Sequence, residues 1–227
     1  MDLNIIAKKM CAKGKGILAA DESTGTIAKR FKSINVENLE KNRLYFRQTL
    51  FNSSAMKEYI GGVILFDETI RQKTTLGLTI PELISKHGAI PGIKVDKGAK
   101  LLAGSKDETV TEGLDGLRER LKEYYDLGAR FTKWRAVYRI DKNLPSAQSI
   151  KSNAHALARY AALVQEAKMV PIVEPEVLMD GSHNIDECYK ATTNVLNECY
   201  NELKSQNVDL KGTVLKPNMV IPGSECK

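Results

Sequence analysis

Six short apolar runs punctuate the chain at near-even intervals: GKGILAAD (14–21), GGVILFD (61–67), PGIKVD (91–96), FTKWRAV (131–137), VPIVEPE (170–176) and GTVLKPNM (212–219). Most are bounded by Gly or Pro and are too short and too weakly amphipathic for helices, so they read as strands. Between them apolar residues recur at helical spacing. Leu3, Ile6, Ala7, Met10 and Cys11 make one such face. Leu114, Leu117, Leu121 and Tyr124 make a second, with Gly128 as a C′ stop. Ile150, Ala154, Leu157, Ala161 and Val164 make a third behind Ser146 as N-cap. Ile185, Cys188, Thr192, Val195, Cys199 and Leu203 make a fourth, while ISKHGAIPG (84–92) reads as a helix end and loop. Alternating strands and helices, with strands apolar enough to be covered, predict a parallel sheet dressed by helices. Roughly 30–45 residues per unit favours an α/β fold of the (β/α)8 TIM-barrel type. A closed barrel needs eight strands, and only about six of the eight βα units are present. No linker, repeat or low-complexity tract divides the chain, so 1–227 reads as a single barrel domain, incomplete at its C-terminus.

The polar positions inside these runs change the picture. Lys94 and Asp96, Lys133 and Arg135, Glu174 and Glu176, and Lys216 and Asn218 are each two residues apart, late in a strand. Side chains at i and i+2 share one face of a strand. Four strands thus present polar pairs on a common face, at the end where βα barrels carry out chemistry. Unpaired buried charges cost several kcal/mol each, so these groups should form a compensating network. Such a network has a use. A lysine beside other cations and partly desolvated becomes a free-amine nucleophile near neutral pH, as Schiff-base chemistry on a carbonyl requires. Neighbouring carboxylates can then move the protons. Lys94, Lys133 and Lys216 are the candidate nucleophiles, and Asp21, Asp96, Glu174 and Glu176 the candidate acid/base groups. Spacing alone leaves the choice among the lysines open.

Composition narrows the class. The 227 residues are 42% hydrophobic and 27% charged, which excludes disorder, collagen-like repeats and a disulfide-stapled miniature. A net charge of +6, from 34 Lys+Arg against 28 Asp+Glu, favours anionic partners. Four scattered cysteines form no CxxC pair and suit a reducing, cytoplasmic setting; three histidines form no HxH or HExxH set, so no metal site is expected. No run approaches the roughly 18 apolar residues of a membrane span, and the N-terminus has no leader pattern. No RRM, KH or helix-turn-helix signature supports nucleic-acid binding.

Taken together, LAADESTGTIAKR (18–30), GIKVDKG (92–98), KWR (133–135), VPIVEPEVLMDG (170–181) and LKPNMV (215–220) resemble class I fructose-bisphosphate aldolase. GGVILFDET (61–69), TEGLDGL (111–117) and LARYA (157–161) extend the resemblance over essentially the whole chain. It implies reversible cleavage of fructose 1,6-bisphosphate into dihydroxyacetone phosphate and glyceraldehyde 3-phosphate, with no cofactor. Another Schiff-base lyase or a transaldolase does not account for the DEST, KVDKG and VEPE set. Within LKPNM, Lys216 matches the Schiff-base lysine. Glu174 matches the acid/base for carbinolamine dehydration, and Asp21 the group that assists deprotonation at C4. Lys133 matches the cation beside the nucleophile, where it would favour the free amine. Lys94 and Asp96 match further members of the network, and Arg135 and Glu176 resemble supporting partners. Trp134, between two basic residues, should face the opposite side as core.

The resemblance also makes Ser23 and Arg30 ligands of one substrate phosphate. Thr26 keeps the hydroxyl of a family serine. Lys29 adds charge, and hydroxyls with backbone N–H groups at a helix start suit an anion. Arg43 matches another basic family position or else is a solvated helix charge. His183 matches a loop histidine and receives no role. Family members continue beyond LKPNMV, so the sequence is expected to be a piece of a longer product, with the second phosphate site outside it. The alternative is an inactive truncated chain acting only as a binding protein. By family analogy the protein forms a homotetramer, and a cytoskeletal partner is a further expectation.

Overall fold

Each apolar run forms a strand, and the segments between them form helices, in a computed structural model that describes residues 2–227. In chain order the elements are α1 (Leu3–Met10), β1 (Gly16–Ala20), α2 (Thr24–Ser33), α3 (Glu40–Phe51), α4 (Ala55–Tyr59) and β2 (Ile60–Leu65). Then come α5 (Asp67–Arg71), α6 (Ile80–Lys86), β3 (Ile90–Lys94), β4 (Ala99–Leu101), β5 (Thr109–Thr111) and α7 (Leu117–Asp126). The chain continues through β6 (Phe131–Tyr138), α8 (Ala147–Glu166), β7 (Val170–Val177), α9 (Ile185–Ser205) and β8 (Val214–Leu215). Six strands pair in the order β1-β2-β3-β6-β7-β8, every pairing parallel. The sheet is the curled portion of a (β/α) barrel.

The local signals hold where periodicity is long. Ser146 caps α8 by accepting from Ser149 N, and Asn184 with Glu187 forms a full capping box on α9. Three details differ from the pattern. The helix expected from Leu114 begins at Leu117, because Gly116 in the left-handed region (φ 64°) ends the preceding turn; Leu114 packs on the core from outside the helix. Ile90, read only as loop, already belongs to β3, where Pro91 and Gly92 follow the strand reading of 91–96. The antiparallel β4–β5 hairpin was not anticipated, since three-residue strands are too short to show a period. Asn153 in α8 holds that hairpin, accepting from Thr111 N and donating to Thr109 O.

Alternation then sorts each strand into two faces. Outward residues such as Val63, Leu65, Ile93, Trp134 and Val173 pack beneath the helices. Trp134 is wholly buried with its ring centroid 5.3 Å from that of Tyr160, on the side away from Lys133 as the alternation predicts. Inward residues near the strand starts, Ile64, Ile90, Phe131, Val170 and Ile172, form a second cluster sealed by Ile6, Ala7 and Met10 of α1. Two residues further along the same face, Phe131 gives way to Lys133 and Ile172 to Glu174.

Phe131 plugs the floor because its neighbours have no side chains there. A Cβ on Gly92 would lie 2.3 Å from the Phe131 ring, and one on Gly62 would lie 3.0 Å from it. Gly92→Ala is therefore expected to destabilise the fold by about 1–3 kcal/mol through overpacking, read as a lower urea midpoint. An unchanged midpoint would show that the floor has slack.

Candidate active site

The C-terminal ends of the strands open into a cleft of about 980 Å³. β1 delivers Asp21, β3 leads to Lys94 and Asp96, and β6 presents Lys133 and Arg135. β7 presents Glu174 and Glu176, and Lys216 follows β8 directly. Ser23, Thr26 and Arg30, from the start of α2, complete one wall. Eleven of the residues singled out in the sequence thus line one cavity, while Lys29, Arg43 and Asn218 do not.

Glu174 is the hub. It is 2% exposed, and its Oε1 accepts a hydrogen bond from Lys216 Nζ. Lys133 Nζ lies 3.6 Å from Oε2, and Arg135 Nε lies 4.0 Å from Oε1. Its Oε2 has no hydrogen-bond partner of its own, which leaves an acceptor aimed among cations. Lys133 in turn bonds Asp21 at 2.6 Å. Burial works to lower the Lys133 pKa, but the charges of Asp21 and Glu174, the Asp21 hydrogen bond and the Asp96 charge outweigh it, and the net shift is upward. This corrects its standing as a candidate nucleophile. The carboxylates of Asp21 and Glu174 lie against Lys133 and keep its ammonium form favoured.

Around this centre the charges are paired, although Asp96 Oδ2 and Glu22 Oε2 are buried without a hydrogen-bond partner. Lys94 Nζ donates to Asp96 Oδ1 at 2.6 Å and to its carbonyl at 2.9 Å. Arg135 pairs with Glu176. That hydrogen bond holds the guanidinium above its ordinary value against burial. Burial pushes Glu176 up, but the Arg135 hydrogen bond and charge, with Lys216 and Lys133, hold it below the usual carboxylate range. Ser23 Oγ caps α2 by accepting from Thr26 N at 3.3 Å and lies 3.1 Å from Thr26 Oγ1. Arg30 pairs with Glu22.

Two expectations fail here. Arg43 is neither in the cleft nor solvated: it is buried, donating to both oxygens of Glu68 at 2.8 and 2.6 Å and to Asn38. The reason is that α3 packs its Arg43–Arg47–Phe51 stripe inward. The Lys216–Asn218 pair does not share a face, because strand geometry ends at Leu215. Asn218 turns toward α9, accepting from Val177 N and donating to Thr192 Oγ1.

Several residues escaped the pattern. Glu22, Phe66 and Lys97 line the cleft from loops, where no period applies. Arg47, 0% exposed, donates to the Glu22 carbonyl at 2.6 Å and to Thr69 Oγ1 at 2.7 Å, so it holds the turn carrying Asp21 and Ser23. Its signal was available: α3 has no buried stripe unless two arginines belong to it. Among the described residues no group of three or more His, Cys, Asp or Glu is placed to hold a metal, and no helix is long and apolar enough to cross a membrane. The four cysteines are free thiols, and burial pushes Cys199 up to about 12.

The family model described as fructose-bisphosphate aldolase class-I matches residues 2–227. A probable fructose-bisphosphate aldolase class 1 of Xylella fastidiosa is 58% identical over 97% of this chain and 66% of its own length. The cytosolic fructose-bisphosphate aldolase 4 of Arabidopsis thaliana is 57% identical over 93% of this chain and 54% of its own. The fructose-bisphosphate aldolase of Plasmodium falciparum, solved with TRAP and a small-molecule inhibitor, superposes with a TM-score of 0.97 at 48% identity. That likeness covers 99% of this chain and 65% of the solved one. The chain thus spans less than two thirds of the length of these relatives.

Removing Lys133 leaves Asp21 and Glu174 buried without their shared cation. Lys133→Met is expected to lower the unfolding free energy by about 3–5 kcal/mol at pH 7.5. In the unsubstituted protein the Lys133 contribution is intact below its unfolded value of about 10.4 and fades as pH rises through the higher folded one. Urea titrations at pH 7.5 and pH 10.5 check both points; a variant as stable as its parent would refute the pairing.

Proposed function

This chain belongs to the class I fructose-bisphosphate aldolase family, and we propose that its charged cleft carries out reversible aldol cleavage of fructose 1,6-bisphosphate through a Schiff base on Lys216. The observation that carries the reading is the hydrogen bond between Lys216 and the buried carboxylate of Glu174. A proton passed along that bond to Glu174 leaves a neutral amine, which adds to the C2 carbonyl. Glu174 then returns the proton to the carbinolamine hydroxyl, which departs as water and leaves the iminium. Asp21 takes the proton of the C4 hydroxyl. The C3–C4 bond breaks, its electron pair moves into the iminium to give an enamine, and glyceraldehyde 3-phosphate leaves. Protonation at C3 and hydrolysis release dihydroxyacetone phosphate. Lys133, kept cationic by its carboxylate neighbours, offsets the negative charge that passes between Asp21 and Glu174.

Ser23, Thr26 and the start of α2 bind one substrate phosphate in this scheme, with Arg30 adding charge once its pairing with Glu22 yields. The working protein on this reading is cytoplasmic and homotetrameric. The net positive charge also supports binding of anionic protein partners, cytoskeletal ones included.

Treatment with borohydride in the presence of dihydroxyacetone phosphate, followed by peptide mapping, is expected to place a reduced adduct on Lys216. Adduct on another lysine would overturn the assignment, and none at all would favour a binding protein over an enzyme. Glu174→Gln is expected to lower kcat by about 10²–10⁴-fold; unchanged turnover would remove Glu174 from the proton path.

A further inference from the structure

Asn218 leaves the face of Lys216, and the place it takes instead bears on the nucleophile. Lys216 projects from the end of a very short strand. Among the described residues β8 pairs only with β7, through Ile172 with Val214 and Val173 with Leu215. The last backbone hydrogen bond of this ladder runs from Lys216 N to Val173 O at 2.9 Å. Pro217 comes next and has no N–H to extend it. The Lys216 side chain is half exposed, and its one hydrogen bond among the described residues is to Glu174. Where its amine points therefore depends on how the backbone beyond the ladder is held.

Asn218 holds it. Its Oδ1 accepts from Val177 N at 3.2 Å, taking the place of the main-chain carbonyl that a longer β8 would offer. Its Nδ2 donates to Thr192 Oγ1 at 3.0 Å, on the buried face of α9, and to Met219 O at 3.1 Å. The amide thus bridges a strand and a helix, using its acceptor and its donor at once. The two anchors on β7, Val173 and Val177, lie on either side of Glu174. Lys216 is consequently fixed relative to the strand that carries its carboxylate partner. The next main-chain ties come only at Gly223, Ser224 and Glu225, which donate to His183 O, Met179 O and Gly181 O at 2.8, 2.8 and 2.9 Å. Between them Met219 is exposed, with only a long 4.0 Å contact from Cys188 Sγ to its carbonyl. Asn218 is therefore the nearest restraint on the nucleophile once the ladder has ended.

We propose that Asn218 is a positioning residue for Lys216: its side-chain amide clamps the turn after β8 to β7 and α9, which keeps the Lys216 amine against the Glu174 carboxylate. Proton transfer along that hydrogen bond depends steeply on the separation of its ends. A tether loosened by about 1 Å slows imine formation and leaves substrate binding as it was. The effect on turnover rests on the aldolase reading of the cleft; the hold on Lys216 does not.

In the complete protein, Asn218→Ala is expected to lower kcat for fructose 1,6-bisphosphate about 10²-fold, with KM within about twofold. The rate at which borohydride traps adduct on Lys216 should fall by a similar factor, while the final yield per chain stays near that of the parent. Asn218→Asp keeps an acceptor for Val177 N and can accept from the Thr192 hydroxyl, so it should recover most of the loss. Thr192→Val removes one hydrogen bond and should cost about fivefold in kcat; it carries the test if Asn218→Ala does not fold. A loss confined to stability or to KM, or no recovery in Asn218→Asp, would overturn the proposal. If the parent forms no adduct the aldolase reading fails, and competitive acetylation with peptide mapping then decides the clamp. Lys216, released from Glu174, should label about threefold faster in Asn218→Ala, while the exposed Lys8 and Lys204 keep their rates. An unchanged Lys216 rate contradicts the clamp.

Discussion

A carboxylate buried at the centre of a parallel sheet is the constraint on which this structure turns. Glu174 sits on the inner face of β7, and an unpaired charge there would cost several kcal/mol. The cost is met from both sides. β6 brings Lys133 and Arg135, and β8 delivers Lys216. Because these neighbours come from the strands on either side of β7, the network forms only when β6, β7 and β8 are in register. The carboxylate to which the proposal gives the proton transfers also makes the sheet pairing specific.

The inner face divides along its length for the same reason. Toward the strand starts it is apolar, filled by Phe131 against Gly62 and Gly92 and closed by α1. Toward the strand ends it is charged and open. A dry floor beneath a polar mouth keeps water from the lower side of Glu174 and Lys133, which strengthens each Coulombic contact above it. The Lys133 ammonium owes its elevated pKa to this crowding of carboxylates, which overcomes the burial that opposes it.

The β1–α2 turn needs separate support because it carries Asp21, Glu22 and Ser23 outside any strand. Arg47 supplies it from beneath through the Glu22 carbonyl, and burial lowers the pKa of its guanidinium. Arg43 secures Glu68, whose carboxylate lies 3.9 Å from Arg47. Two arginines that look like solvent charges on a helix are thus structural, and they hold the loop on which the proposed proton abstraction at C4 depends.

Much of this was written in the chain. The six strands, the long helices with their caps, the outward Trp134 and the inward Lys133, Arg135, Glu174 and Glu176 follow from periods of 2.0 and 3.6 acting over several residues. Where the period is interrupted the sequence is silent. The last strand is only two residues long and ends before Lys216, so Asn218 could leave the face shared with Lys216; the β4–β5 strands are too short to register; Lys97 and Glu22 lie in loops. Which charges pair is also a tertiary outcome. Spacing can place a lysine on an inner face, but only the neighbouring strands decide whether it meets cations or carboxylates, since that contact joins residues dozens of positions apart. Local sequence determined which way each side chain points; the packing of one strand against the next decided what it finds there.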